Sequence, residues 1–261
     1  SVPQPDGASG PAGTAPSAAA GQPAAAADRP SALAATPRVP INTGRVEGSI
    51  NLAGGPLDDL RLKDYRETVD PDSPTIVLFS PSGAPNPYYA EFGWVGGGQG
   101  DDKLQVPGAD TVWEVDGAGE LTQDTPVTLT WTNDAGVVFT RTFAVDDNYM
   151  FTVTQGVRND TKNAITLHHR AQRHHRSQQR QCRHAVQRPP ATAAAGGGMS
   201  DDKPMICLVE DGPILPEKTD NGWLGFTDKY WASTLIPNPG AQFQARLSAT
   251  ERGGKPIYQT D

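Results

Sequence analysis

The chain carries 22 Lys and Arg against 30 Asp and Glu over 261 residues, a net charge of −8. An acidic surface of this kind argues against nucleic acid as the main partner, since little basic field is present to attract phosphate. No run approaches the roughly 20 apolar residues that a bilayer-spanning helix needs.

Residues 1–40 hold almost only Ala, Pro, Gly and Ser, with a few polar residues. They offer too little apolar area to offset the entropy of ordering, so a disordered, semi-extended linker is expected ahead of a domain spanning residues 41–261. The start, Ser1-Val2-Pro3, lacks the basic and then apolar stretch of a signal peptide. Either the protein is cytoplasmic or its targeting segment lies outside this sequence.

From Arg45 the texture becomes strand-like. Arg45–Leu52 and Leu57–Tyr65 alternate around the turn signal Gly54-Gly55-Pro56, which predicts a hairpin. Thr75–Ser80 is a short apolar run that suits a strand buried on both faces. Val127–Trp131, Val137–Val145 and Tyr149–Val157 alternate, with turns at Asn133–Gly136 and Asp146–Asn148. Together they predict an antiparallel meander with one buried face and one wetter face. Apolar texture returns after Met205, at Ile206, Leu208, Val209 and Trp223–Phe226, and Gln242–Ala249 reads as a last strand.

Between these lies a stretch without strand texture, residues 168–205. It holds all five histidines (His168, His169, His174, His175, His184), the arginines from Arg170 to Arg188, and no acid between Asp160 and Asp201. Histidines are metal-ligand candidates, but a fixed site needs packed supporting residues, and few apolar residues are present to supply them. The arginines lack the interleaved aromatics that stack on bases. The composition is that of a shifted reading frame, and burying such groups unpaired is costly, so the segment is expected to loop out and interrupt the domain. Cys182 and Cys207 form at most one pair, which spacing alone does not establish.

Other candidates reduce to local structure. The paired carboxylates Asp58-Asp59, Asp101-Asp102, Asp146-Asp147 and Asp201-Asp202 read as turn residues rather than acid–base or calcium groups. Gly96–Gly100 is not a phosphate-cradling motif. Ser49, Ser80 and Ser82 have no nucleophile-elbow context. Trp94, Trp113, Trp131, Trp223 and Trp231 are expected in a sandwich core rather than lining a sugar cleft.

Four strings carry a family resemblance: Arg45–Tyr65 (RVEGSINLAGGPLDDLRLKDY), Tyr88–Val95 (YYAEFGWV), Val127–Asn159 (VTLTWTNDAGVVFTRTFAVDDNYMFTVTQGVRN) and Gly222–Pro237 (GWLGFTDKYWASTLIP). They resemble, in order, the periplasmic domain of proteobacterial YidC-type membrane protein insertases, over about residues 38–167 and 210–261. The resemblance implies an all-β fold, an antiparallel β-supersandwich similar to galactose mutarotases, incomplete here at its C-terminal end. It implies attachment to the bacterial inner membrane, with this part facing the periplasm, through segments that are absent. A non-catalytic accessory module is expected, without cofactor or metal, since no acid–base or ligand set lies on foldable elements. Its partners in the full-length protein would be nascent inner-membrane proteins and the Sec translocon. The rival reading is an aldose epimerase-like enzyme or a carbohydrate-binding sandwich. An epimerase needs a positioned acid and base, commonly His with Glu or Asp, and no histidine lies on a recognisable strand.

Overall fold

The computed structural model describes residues 28–96, 104–175, 192–195, 203–204, 213, 218–227, 231–252 and 255–260. Most of residues 1–40 lies outside them, but residues 28–40 do not read as linker. A one-and-a-half-turn helix, α1 (Arg29–Ala34), is followed at once by strand β1 (Arg38–Asn42). Asp28 caps α1 by accepting from Ser31 N at 2.8 Å, and Pro30 sits in its first turn, where the missing N–H has no partner to lose. The domain therefore begins before residue 41.

The predicted hairpin is β2 (Val46–Asn51) and β3 (Leu57–Arg66), joined through Gly54 and Gly55 at φ +76° and +70°. Only glycine takes that backbone without penalty. β4 (Thr75–Phe79) pairs with β3, but it is not buried on both faces, since Val77 is 40% exposed. β5 (Tyr88–Gly96) follows, and then a short β6 (Glu114–Asp116).

The predicted meander is β7 (Val127–Thr132), β8 (Val137–Val145) and β9 (Phe151–Asn159). With β6 it forms a four-stranded antiparallel sheet in the order β6-β7-β8-β9. Strict alternation buries Val137, Phe139, Arg141, Phe143 and Val145 of β8 on one face. Tyr149 is in the β8–β9 turn, not in the strand as its spacing suggests.

The segment read as an interruption is where expectation and structure part. Leu167–His175 is a nine-residue strand, β10, antiparallel to β5 over its whole length, from Leu167 opposite Gly96 to His175 opposite Tyr88. Further strands follow: β11 (Thr192–Ala195), β12 (Lys203–Pro204), β13 (Leu224–Thr227), β14 (Ala232–Leu235), β15 (Leu247–Arg252) and β16 (Lys255–Thr260). The expected last strand at 242–249 is displaced to β15 and is succeeded by β16. Residues 176–191 lie outside the described residues, as do Cys182, Cys207 and His184.

Eight strands make the large sheet, ordered β1-β2-β3-β5-β10-β16-β15 with β4 alongside β3. β11–β14 make a second four-stranded sheet in the order β12-β11-β13-β14. Both small sheets cover the same face of the large one. Val39, Ile41, Ile50, Leu60 and Trp94 of the large sheet share one core with Leu129, Phe139 and Phe143 of the meander. Phe226 of β13 packs on Leu247 and Tyr258 of β15 and β16, and Tyr88 of β5 touches both clusters. The protein is an antiparallel β-sandwich with one wide layer and one divided layer.

Candidate functional site

The divided layer exposes one edge unlike the others. Strand edges are hazards that proteins blunt with short strands, prolines, charges or irregular pairing. β1 carries Pro40 at its centre, and its far side is partly taken: Leu121 N donates to Pro40 O and Asn42 N to Leu121 O, each at 2.9 Å. β6, β12 and β14 run three, two and four residues. β4 is broken by two register shifts, and β15 ends in Glu251-Arg252.

β9 has none of these protections before Arg158, near its end. Its nine residues pair with β8 along one side, from Phe151 opposite Val145 to Asn159 opposite Val137, and among the described residues no strand pairs with the other side. Phe151–Val157 is uncharged, free of proline and rich in Thr and Val, residues that favour pleated backbone. Thr152 and Thr154 point to solvent, while Val153, Gln155 and Val157 face inward. Gln155 Nε2 reaches the large sheet, 3.1 Å from Gly93 O and 3.1 Å from His169 Nδ1, and its buried Oε1 accepts no bond. Arg158 and Asp160 close the strand with a largely exposed pair at 2.9 Å.

β10 lies next to this edge and carries the histidines read as metal candidates. His169 faces inward beside Trp94, at a ring separation of 6.2 Å. His168, His169 and Arg170 are exposed. His174 faces the other way, stacked on Tyr89 at 4.7 Å, with its Nε2 3.0 Å from Glu91 Oε2. Among the described residues no group of three or more metal-ligating side chains converges. A histidine with a carboxylate partner does sit on a strand, which removes the reason given above against an acid–base pair. Its setting supplies a different one. Glu91 is 40% exposed while His174 is 13% exposed, so the carboxylate half of the pair remains in water.

The carboxylate pairs separate. Asp146 is a turn residue whose Oδ1 accepts from Asn148 N and Met150 N, with Asp147 beside it. Asp101-Asp102 and Asp201-Asp202 lie outside the described residues. Asp58 and Asp59 are not in a turn: both are buried within β3. Ser49 of β2 opposes Asp59 and Ile50 opposes Leu57, so Asp58 is the extra residue of a β-bulge. Asp59 takes Arg29 of α1 and accepts from Ser49 Oγ at 2.6 Å, while Asp58 takes Arg38 of β1. Ser49 and Ser80 are buried strand-side groups, and Trp94 and Trp113 are core, as expected.

Burial holds the Asp58 carboxyl above its ordinary range despite the Arg38 guanidinium beside it. The folded state then takes up a proton before the unfolded state does, so the charge costs stability at neutral pH and that cost is relieved on acidification. Thermal midpoints of the wild type and Asp58→Asn should therefore move relative to each other between about pH 7 and about pH 5, the wild type gaining on the variant. The wild type losing ground would mean that the Arg38 attraction outweighs desolvation.

Comparison with known proteins adds the family. The YidC periplasmic domain model matches residues 38–261, a span that runs through 168–205. The membrane protein insertase YidC of Mesorhizobium japonicum is 44% identical over 249 residues, covering 95% of this chain and 41% of the relative. That of Nitrobacter hamburgensis is 43% identical over 236 residues, covering 86% of this chain and 36% of the relative. That of Rhizobium etli is 41% identical over 262 residues, covering 98% and 42%. The chain thus spans about two fifths of the length of these curated relatives.

Proposed function

Because the chain belongs to the YidC periplasmic domain family, we propose that it serves as a non-catalytic accessory module of a membrane protein insertase, held at the inner membrane and facing the periplasm. Its task is to hold an extended segment of a nascent membrane protein or of a translocon partner while the rest of the insertase acts. The observation that carries this reading is the nine-residue edge of β9, uncharged from Phe151 to Val157 and paired on that side with no strand among the described residues. An extended chain adds to such an edge through main-chain hydrogen bonds, which tolerate many sequences, as a module serving many clients requires.

An aldose epimerase is the weaker reading. The His174–Glu91 contact supplies an acid and a base, but the Glu91 carboxylate is 40% exposed.

The edge is tested in the full-length insertase by placing a photocrosslinking residue at Thr154, which points to solvent from β9, or at the exposed Val77 of β4. A stalled inner-membrane protein with a translocated segment should crosslink at Thr154 and not at Val77. Equal labelling at the two positions, or none at Thr154, would show that the edge holds no client.

A further inference from the structure

The edge of β9 offers two unlike sides to anything that adds to it. Thr152 and Thr154 are exposed on one side. Phe151, Val153 and Val157 turn the other way and pack, half-buried, against the core. What lies beneath the next strand position follows from how the two layers step together. β8 stands over β5, since Phe139 meets the Trp94 ring at 5.1 Å and Phe143 meets the Phe92 ring at 6.1 Å. β9 stands over the join of β5 and β10, since the Gln155 amide reaches both Gly93 O and His169 Nδ1. A strand added beside β9 is displaced by about 4.8 Å more, and so comes to lie over β10.

That floor is in place and partly open. Leu167, His169 and Ala171 of β10 stand opposite Gly96, Trp94 and Phe92 of β5. They share the inward face with the two rings, because cross-strand partners point the same way. Leu167 and Ala171 are half-buried, and His169 is exposed although it faces inward. An inward residue in contact with water marks floor that the divided layer leaves uncovered.

We propose that the β9 edge selects extended segments whose apolar residues recur at every second position, and that it thereby holds the translocated, extramembrane parts of a client rather than its membrane-spanning parts. This rests on the edge reading given above. Main-chain hydrogen bonds accept any sequence, and the two unlike sides add the selection. Inward side chains of the added strand come beside Val153 and Val157 and above Leu167 and Ala171, where apolar groups leave water. Outward ones stand in water beside Thr152 and Thr154. A slip of one residue exchanges the two sides, so only a period of two fits. A membrane-spanning segment is apolar at nearly every position. Moving it from lipid to this edge would put every second side chain into water.

The probe is the fluorescein-labelled peptide Thr-Val-Thr-Val-Thr-Val-Thr-Val-Thr, titrated into the full chain by anisotropy. Its comparison is an isomer of the same composition, Thr-Thr-Val-Val-Thr-Val-Val-Thr-Thr. The isomer turns only half of its valines inward in either register, so the alternating peptide should bind at least about tenfold more tightly. His169→Asp changes an exposed position and sets an unpartnered carboxylate under the added strand. It should bring the alternating peptide down to the isomer's level with the thermal transition retained. Val77→Asp on β4 is the control and should leave binding within about twofold. Equal binding of the two peptides would overturn the proposal, while the edge reading would still stand on the crosslink at Thr154. Unchanged binding by His169→Asp would also overturn it, since no strand would then lie over β10. So would binding of neither peptide, with the Thr154 crosslink deciding the edge reading separately. Self-association of the free chain through β9 would overturn it as well, by making a second copy the occupant.

Discussion

Replacing Arg141 by methionine will lower stability by about 3–5 kcal/mol. Arg141 sits on the inward face of β8 between Phe139 and Phe143 and is fully buried. Its guanidinium donates to Gly55 O at 2.8 Å, to Gly54 O at 3.3 Å and to Phe92 O. It also lies 4.8 Å from the Trp113 ring centroid and 5.6 Å from that of Trp94. One side chain thus ties the meander to the β2–β3 turn and to β5. Methionine fills much of the volume but strands those carbonyls, at about 1–3 kcal/mol for each that water cannot reach. An opposing effect reduces the loss. Burial pushes the guanidinium down to about 9, a sign that the charge is costly where it sits, though it stays protonated at neutral pH. Lysine keeps the charge but cannot fork to three carbonyls, so Arg141→Lys should fall between the wild type and Arg141→Met in urea unfolding. If the methionine variant matched the wild type, the ring contacts and carbonyl bonds together would only balance the desolvation.

Gly48→Ala is expected to cost about 3 kcal/mol, at the upper end for overpacking. A Cβ at Gly48 would stand 2.1 Å from the backbone oxygen of Asp59 and 2.8 Å from its carbonyl carbon. Neither atom can swing aside, because Asp59 belongs to the paired strand beside the bulge. β2 and β3 must move apart, and the Ser49–Asp59 hydrogen bond and the Arg29 and Arg38 ion pairs loosen with them. Gly44→Ala is the control: a Cβ there meets nothing within 4 Å, so its unfolding free energy should stay within about 0.5 kcal/mol of the wild type. Equal behaviour of the two variants would mean that the sheet yields at Gly48 without strain.

What the residues disclose in advance follows from how each element is held. The meander could be read because alternating apolar side chains do the holding, and β8 shows that pattern from Val137 to Val145. The β2–β3 turn could be read because Gly54 and Gly55 need positive φ. β10 could not. It is held by backbone pairing to β5 and β16, which leaves no trace in side-chain type. The expectation of expulsion assumed that its polar groups would be buried unpaired, yet His168 and Arg170 are exposed, and the largely buried His174 is paired with Glu91 and stacked on Tyr89. Asp58 and Asp59 look like turn residues because a bulge, invisible in a single strand's sequence, lets two consecutive carboxylates meet arginines from elsewhere. The β9 edge was legible as a strand but not as an edge, since edges are a property of the assembled sheet. Tyr149 was misplaced by one turn, because its spacing continues that of Phe151 and Val153 while its backbone does not.

The clamp of α1 onto β3 has a mechanical consequence. A pull on the chain ahead of Asp28 does not reach β1 first, although β1 is the outermost strand of the large sheet. It meets Arg29, which is fastened to Asp59 and to the carbonyl of Phe79, and so loads β3 and β4 directly. Arg38 then secures β1 itself to the neighbouring Asp58. Tension entering from the N-terminal side is shared across several strands at once rather than unzipping one from the margin, so the domain can be tugged from that side without fraying.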